Sequence, residues 1–148
     1  MFIGFTKFIY DCFKYEDEKF YYLSLIKESE YDEYPYTIHG FWPQYSKTSY
    51  PTYCKNLNFS LDALKPILDE LNKYWSSNKG KDENPDFWKH EYLKHGSCMF
   101  TDVSEFDYFN KTINLYLQAL QLNLPDKYYD PKTGKCLIPV NLDFTFKN

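Results

Sequence analysis

At 148 residues, with 43% hydrophobic and 22% aromatic side chains, the chain is long enough to bury a core without a metal or many disulfides, and its composition excludes disorder. A formal charge of −4 excludes a protein that grips long nucleic acid by general electrostatics, which needs a basic surface, though it leaves room for a small basic patch. No apolar run approaches the roughly 20 residues of a membrane span, so no membrane partner is expected.

Residues 1–10 are apolar but broken by Lys7 and followed by acidic residues where a small-residue cleavage site would stand. This is a poor signal peptide; the chain lacks one or it has been removed. Cys12, Cys54, Cys98 and Cys136 have no CxxC spacing, which argues against zinc and for disulfides, with three pairings open. The sequons at Asn58 and Asn110 suit a secreted glycoprotein.

In chain order, residues 20–26 form an aromatic and aliphatic run bounded by charges, as expected of a buried strand, and the acidic stretch 27–33 reads as a loop. In residues 34–45, β-formers run up to His39-Gly40, and Pro43 is expected to end the strand, which leaves His39 at a strand's end. Alone, such a histidine is more often structural than catalytic, and Trp42 more often core than ligand. The loop to Cys54 carries Tyr50 and Tyr53, each open to packing or to substrate contact. From Ser60, the spacing of Leu61, Leu64, Ile67, Leu68, Leu71 and Trp75 predicts a packing helix in which Pro66 marks a first turn or a kink. Residues 78–85 read as a polar connection.

Residues 87–98 are the densest in chemistry, with two of only three histidines, a carboxylate and two lysines. As a helix the run starts at Asn84-Pro85-Asp86, with Asp86 as the cap, and stops at Gly96. His90 then lies over Lys94 and Glu91 over His95, while Phe87, Trp88 and Tyr92 are left to pack or to touch a ligand. His95 falls in the last turn, where the helix dipole and Glu91 are expected to raise its pKa. A solvated amphipathic helix fits the same run equally well when it is taken alone. Beyond it, Ser104 to Asp107 reads as a capping box opening a helix with Phe106, Phe109, Ile113, Tyr116, Leu117 and Leu120 on one side. Residues 136–147 alternate as a strand, with Pro139 at an edge or bulge. Strands at both ends with helices between them predict one α+β domain over residues 1–148, a sheet backed by helices.

Taken together, Thr37-Ile38-His39-Gly40-Phe41-Trp42-Pro43 and, about fifty residues later, His90-Glu91-Tyr92-Leu93-Lys94-His95-Gly96-Ser97-Cys98 closely resemble the two active-site segments of the ribonuclease T2 family, T-I-H-G-L-W-P and H-E-W-x-K-H-G-[ST]-C. Order and spacing both fit, and the resemblance covers roughly residues 20–122. It implies an antiparallel sheet packed against helices, in a shortened form lacking material after the Leu120 helix and the family's N-terminal cysteines. It also implies a monomeric, secreted or lysosomal/vacuolar endoribonuclease of RNA catabolism, cutting single-stranded RNA through a 2′,3′-cyclic phosphate with no metal or cofactor.

Residue by residue, His39 and His95 match the family's catalytic histidines, Lys94 its transition-state lysine, Glu91 its catalytic glutamate and His90 a phosphate-binding histidine. Trp42 matches the aromatic that stacks on the first base and Phe87 one at the second. Gln44 replaces the aspartate common after W-P, removing an acceptor-only carboxylate from the base pocket, which Tyr50 also borders. Phe41 for leucine and Tyr92 for tryptophan are milder changes. A Cys54–Cys98 disulfide is implied as well, which leaves Cys12 and Cys136 to each other.

The residues support that chemistry on their own terms. RNA carries its nucleophile, the 2′-OH, so an enzyme needs a base for it, an acid for the leaving 5′-oxygen and donors for the crowded phosphorane. Two histidines, one neutral and one protonated, supply the pair and imply a bell-shaped pH profile. One rival is a T2-like protein that binds RNA or another partner without turnover. A zinc hydrolase is the other, since His90-Glu91 begins like HExxH, but the next histidine is at i+5, about 140° around the helix, and cannot chelate from the same face.

Overall fold

A computed structural model describes residues 18–28 and 35–148. The expectations for residues 1–10, for Cys12 and for most of the acidic stretch lie outside these residues.

Four strands, β1 (Phe20–Lys27), β2 (Tyr36–Gln44), β3 (Tyr129–Asp130) and β4 (Lys135–Val140), make one antiparallel sheet in the order β2-β1-β4-β3. The first strand is thus central, paired with the next strand and with the last. Leu23, Leu25, Ile38, Phe41, Ile138 and Val140 line the inner face, all buried, and join one core with Tyr108, Phe109, Ile113 and Tyr116 of the long helix. That helix, Glu105–Gln121, is capped by Ser104, whose Oγ accepts the Asp107 N–H at 3.0 Å. Next to that cap, the Glu105 carboxylate accepts the Ser60 N–H at 2.7 Å and ties the start of the helix to the segment that begins at Ser60.

The second strand departs from expectation in two ways. It runs through Pro43, opposite Tyr21, to Gln44; β2 is outermost in the sheet, where a missing N–H is tolerated. His39 lies inside the strand rather than at its end. The register passes from Ser24↔Gly40 to Leu25↔Ile38, so His39 is the extra residue of a β-bulge, a device that re-aims a side chain.

The helical period from Ser60 resolves into a 3-10 segment, Leu61–Ile67, followed by α1 (Leu68–Tyr74). Pro66 lies inside the 3-10 segment, where its missing N–H interrupts the ladder, and α winding begins two residues after it. The next helix, α2 (Asn84–Lys94), starts two residues ahead of Asp86, with Pro85 in its first turn. Asp86 is not its cap. Instead the buried Asn84 side chain accepts the Ser77 N–H at 2.7 Å and donates to Asn72 Oδ1 at 2.9 Å, tying the polar connection to α1. Gly96 follows the helix for a packing reason, since a Cβ there would stand 2.7 Å from the Tyr92 ring and 3.3 Å from that of Tyr108.

After the long helix, α3 in this order, come α4 (Leu124–Tyr128) and β3, neither of which the alternation pattern suggests. The final strand is shorter than expected. It stops at Val140, turns through Asn141 and Phe144, and returns so that Phe146 pairs with Val140. Phe144 adopts a left-handed φ of 65° in that turn and stacks on Tyr21 at 5.6 Å, a packing gain that offsets backbone strain. Pro139 lies beyond the two residues paired with β3, but not at a free edge: its carbonyl accepts the Lys147 N–H at 3.0 Å from the returning chain. Cys136 is a buried thiol donating to the Pro125 carbonyl at 3.2 Å.

Aromatic hydrogen bonds lock helices to strand β2. Trp88 on α2 donates to the Trp75 carbonyl at 2.6 Å, and Trp75 donates to the carbonyl of His39, in the bulge, at 3.1 Å. Tyr108 and Tyr116 donate to the Phe41 and Tyr36 carbonyls at 2.9 and 2.6 Å. The Cys54–Cys98 disulfide then ties the loop after β2 to the end of the α2 region across a separation of 44 residues. In the chain-entropy picture a loop of that size contributes about 4 kcal/mol. The double variant Cys54→Ala/Cys98→Ala is therefore expected to melt roughly 10 °C lower by calorimetry; an unchanged melting temperature would show that the bridge holds nothing together.

Candidate active site

The bulge in β2 and the C-terminal half of α2 meet at one buried carboxyl. Glu91 is 2% exposed; its Oε1 lies 3.4 Å from His39 Nε2 and its Oε2 3.5 Å from His95 Nε2. Both contacts are long for hydrogen bonds, as is common before a substrate tightens a site. Gly40 makes the approach possible, because a Cβ there would meet the Trp42 indole nitrogen and stand 3.1 Å from Glu91 Oε1. The rings form a continuous wall, with His39 edge-on to Trp42 at 5.0 Å and 5.9 Å from Phe87, Trp42 5.1 Å from His95, and Tyr50 6.4 Å from His95.

This wall lines a cleft of about 400 Å³ that also takes in Gln44, His90 and Lys94. Gln44 is buried with its amide donating to the Ser46 carbonyl at 2.9 Å. A second cavity of about 350 Å³ adjoins it on the other side of His39, Phe87 and His90, and is lined by Thr37, Ser76, Ser77 and Asn78 among others. All the expected site residues, His39, Trp42, Gln44, Tyr50, Phe87, His90, Glu91, Lys94 and His95, therefore converge on one place. Tyr53 does not; it stands exposed on a separate surface beside Cys54 and Leu93. Trp88 and Tyr92 are core.

Electrostatically the site inverts the expectation for His95. Burial pushes Glu91 up to about 8, against the opposing pull of the Trp42 N–H and the Lys94 charge. Burial, with the positive charges of Lys135, His90 and Lys94, lowers His39 to about 4, and burial with Lys94, His90 and His39 lowers His95 to about 3. The helix dipole and the neighbouring carboxyl are outweighed, because a carboxyl that keeps its proton offers no charge to an imidazolium. Burial thus favours the uncharged forms of all three groups, a protonated Glu91 carboxyl beside two unprotonated imidazoles. His39 Nδ1, His95 Nδ1 and Glu91 Oε2 are buried without a hydrogen-bond partner among the described residues, and the Trp42 N–H, though close enough to act on Glu91, also makes no well-formed bond, a concentration of unsatisfied groups suited to a polar ligand.

Sequence reasoning missed several cleft residues. Tyr22, Lys135 and Leu137 come from β1 and β4, far along the chain, and Lys47 from the loop after β2. Their signal was the outward parity opposite Cys136 and Ile138, legible only once the sheet order is known. Ser76, Ser77 and Asn78 precede α2 or fall within the stretch read only as a connection.

Residues 8–134 match the sequence model of the Ribonuclease T2 family. Among curated proteins the chain is similar to Ribonuclease DdI of Dictyostelium discoideum, 42% identical over 85 residues, which cover 56% of this chain and 37% of that protein. It is also similar to Ribonuclease T2-A of Mus musculus, 37% identical over 92 residues, covering 56% of this chain and 32% of that one. The chain thus matches about a third of the length of these relatives. Among solved structures it shares the fold of a mutant of RNase MC1 in complex with 5′-UMP, with a TM-score of 0.66, 18% identity, and coverage of 87% of this chain and 91% of that one.

The buried cluster also sets the pH dependence of stability. Glu91 keeps its proton to about pH 8 when folded, while an unfolded carboxyl gives it up near 4.5, so stability is lost as pH rises through that window. The imidazoles take a proton below 6.5 when unfolded but resist it to about 4 and 3 when folded, so stability is also lost as pH falls. Thermal melts of Glu91→Gln against wild type should show a gap that widens in the variant's favour from pH 5 to pH 8. A gap independent of pH would contradict a buried, protonated Glu91.

Proposed function

The chain belongs to the ribonuclease T2 family, and from that membership and the geometry of the cleft we propose that it is an endoribonuclease cutting single-stranded RNA by metal-independent transphosphorylation, acting as a monomeric single domain. The observation that carries this reading is the pair of imidazoles set 3.4 and 3.5 Å from opposite oxygens of one buried carboxyl, at the cleft wall. The curated relatives' names and the nucleotide in the RNase MC1 complex support it.

The resting one-proton cluster is one step from a working acid–base pair. When a phosphodiester enters, its negative charge favours an imidazolium, and the proton on Glu91 is within reach of either histidine. One imidazole, neutral, then accepts the 2′-OH proton as the 2′-oxygen bonds to phosphorus. The other, charged, gives its proton to the 5′-oxygen as the P–O5′ bond breaks. A 2′,3′-cyclic phosphate and a free 5′-OH result. Lys94 and His90 neutralise the charge of the phosphorane. Trp42 and Tyr50 offer a face for the base on one side of the scissile phosphate, with Gln44 as its hydrogen-bonding neighbour; Phe87 and the Ser76–Asn78 cavity receive the base on the other side. An amide at Gln44 both donates and accepts, so it discriminates less by charge than a carboxylate does.

The experiment is incubation with single-stranded RNA across pH 3 to 9 in the presence of chelator, scoring cyclic-phosphate ends. We expect a bell in kcat/KM with limbs near 4, where His39 takes a second proton, and near 8, where the cluster loses its last. His39→Ala and His95→Ala should each lose about a thousandfold. No cleavage by folded, disulfide-bonded protein would leave a binding protein in place of an enzyme.

A further inference from the structure

The cleft has a bank that the proposed chemistry does not use. Every group assigned so far comes from β2, from the loop after it or from α2, yet Lys135 and Leu137 of β4 and Tyr22 of β1 line the same cavity. Their place follows from the register. Ile26 pairs on one side with Thr37 and on the other with Lys135, and Ser24 likewise with Gly40 and Leu137. Lys135 and Leu137 thus stand two strands from β2, about 10 Å across the sheet, a span that a lysine side chain largely bridges.

Three features make Lys135 more than a solvated lysine. First, among the described residues it has no ion pair: its cross-strand neighbour Asp130 turns Oδ1 to the Lys132 N–H at 2.9 Å. Second, Glu91 is the sole acidic residue among the described residues that line this cleft, and it is buried, so within that lining no exposed carboxylate offsets Lys47, Lys94 and Lys135. Third, among charges, that of Lys135 acts most strongly on His39, ahead of those of His90 and Lys94. The scissile phosphate already has Lys94 and His90 from the helix. A cation on the opposite bank of the cleft, which Leu137 and Tyr22 also line, has the position and the charge for a second phosphate.

Resting on the ribonuclease reading, we propose that Lys135 holds the phosphate adjacent to the one being cleaved, so that the cleft engages at least three nucleotides of a single strand rather than two. The local basic bank also accounts for how a protein of net charge −4 holds a polyanion.

The test compares a dinucleoside monophosphate, which has no second phosphate, with a single-stranded hexanucleotide, for wild type, Lys135→Ala and Lys135→Arg. The ratio of kcat/KM for the longer substrate to that for the shorter should fall about tenfold in Lys135→Ala and recover in Lys135→Arg. Using the ratio removes any change in His39 basicity, which acts on both substrates. In parallel, binding of a 2′-deoxy hexanucleotide should show a log Kd against log salt slope smaller by about 0.7 in Lys135→Ala, the value for one phosphate contact on a single strand. An unchanged ratio with an unchanged slope overturns the proposal, as does an equal loss on both substrates without a change of slope. Should wild type cleave neither substrate, the ribonuclease reading fails and the slope alone decides: a drop of one contact upholds the Lys135 site and no drop overturns it.

Discussion

A carboxyl group buried at 2% exposure between two imidazoles is the constraint on which the site depends. Burying such a group is costly unless it stays protonated or is fully paired, and its contacts here are too long for strong pairing. The fold must therefore hold it in place. It does so with a strand bulge that aims His39, a glycine at 40 that clears space, and the two indole bonds that pin α2 to α1 and α1 to the bulge. The Cys54–Cys98 bridge fixes the far end of α2, next to His95. Each of these features supports a buried, poorly paired cluster.

The same cluster links charge to chemistry. An overall acidic chain lines its cleft with Lys47, Lys94 and Lys135 and keeps its one cleft carboxylate out of water. Lys94 and His90 disfavour a proton on both imidazoles, and Lys135 does so on His39. On the proposed ribonuclease reading, an incoming phosphate offsets those charges and supplies the site with its acid.

Much of this was legible in the sequence. Strand β1 and helices α2 and α3 follow from aromatic runs and 3.6-residue spacing, with the Ser104 cap marking the start of α3, and the two histidine segments carry the family and the disulfide. What was not legible depends on partners distant in the chain. Residues 34–45 alone place His39 at a strand's end, because a bulge is a property of the register with β1. Pro43 was read as a terminator because nothing local says that β2 is outermost. The pKa of His95 came out opposite in direction because the helix dipole and Glu91 are local, whereas the burial that overrides them comes from β2 and the loop after it. Lys135 escaped notice for the same reason, as did the turn at Phe144, whose ring finds Tyr21 across the sheet.

The claim that binds fold to function is that the free site holds its proton on Glu91 and hands it to an imidazole when a phosphate arrives. Nitrogen NMR of the histidine rings, titrated from pH 3 to 9 in the free protein and again with a non-cleavable 2′-deoxy dinucleotide, reads this directly. His39 and His95 should both be neutral from about pH 5 upward in the free protein, and one should become charged at neutral pH on binding. A histidine already charged at pH 7 in the free protein, or no change in either ring when the dinucleotide is bound, would contradict the account.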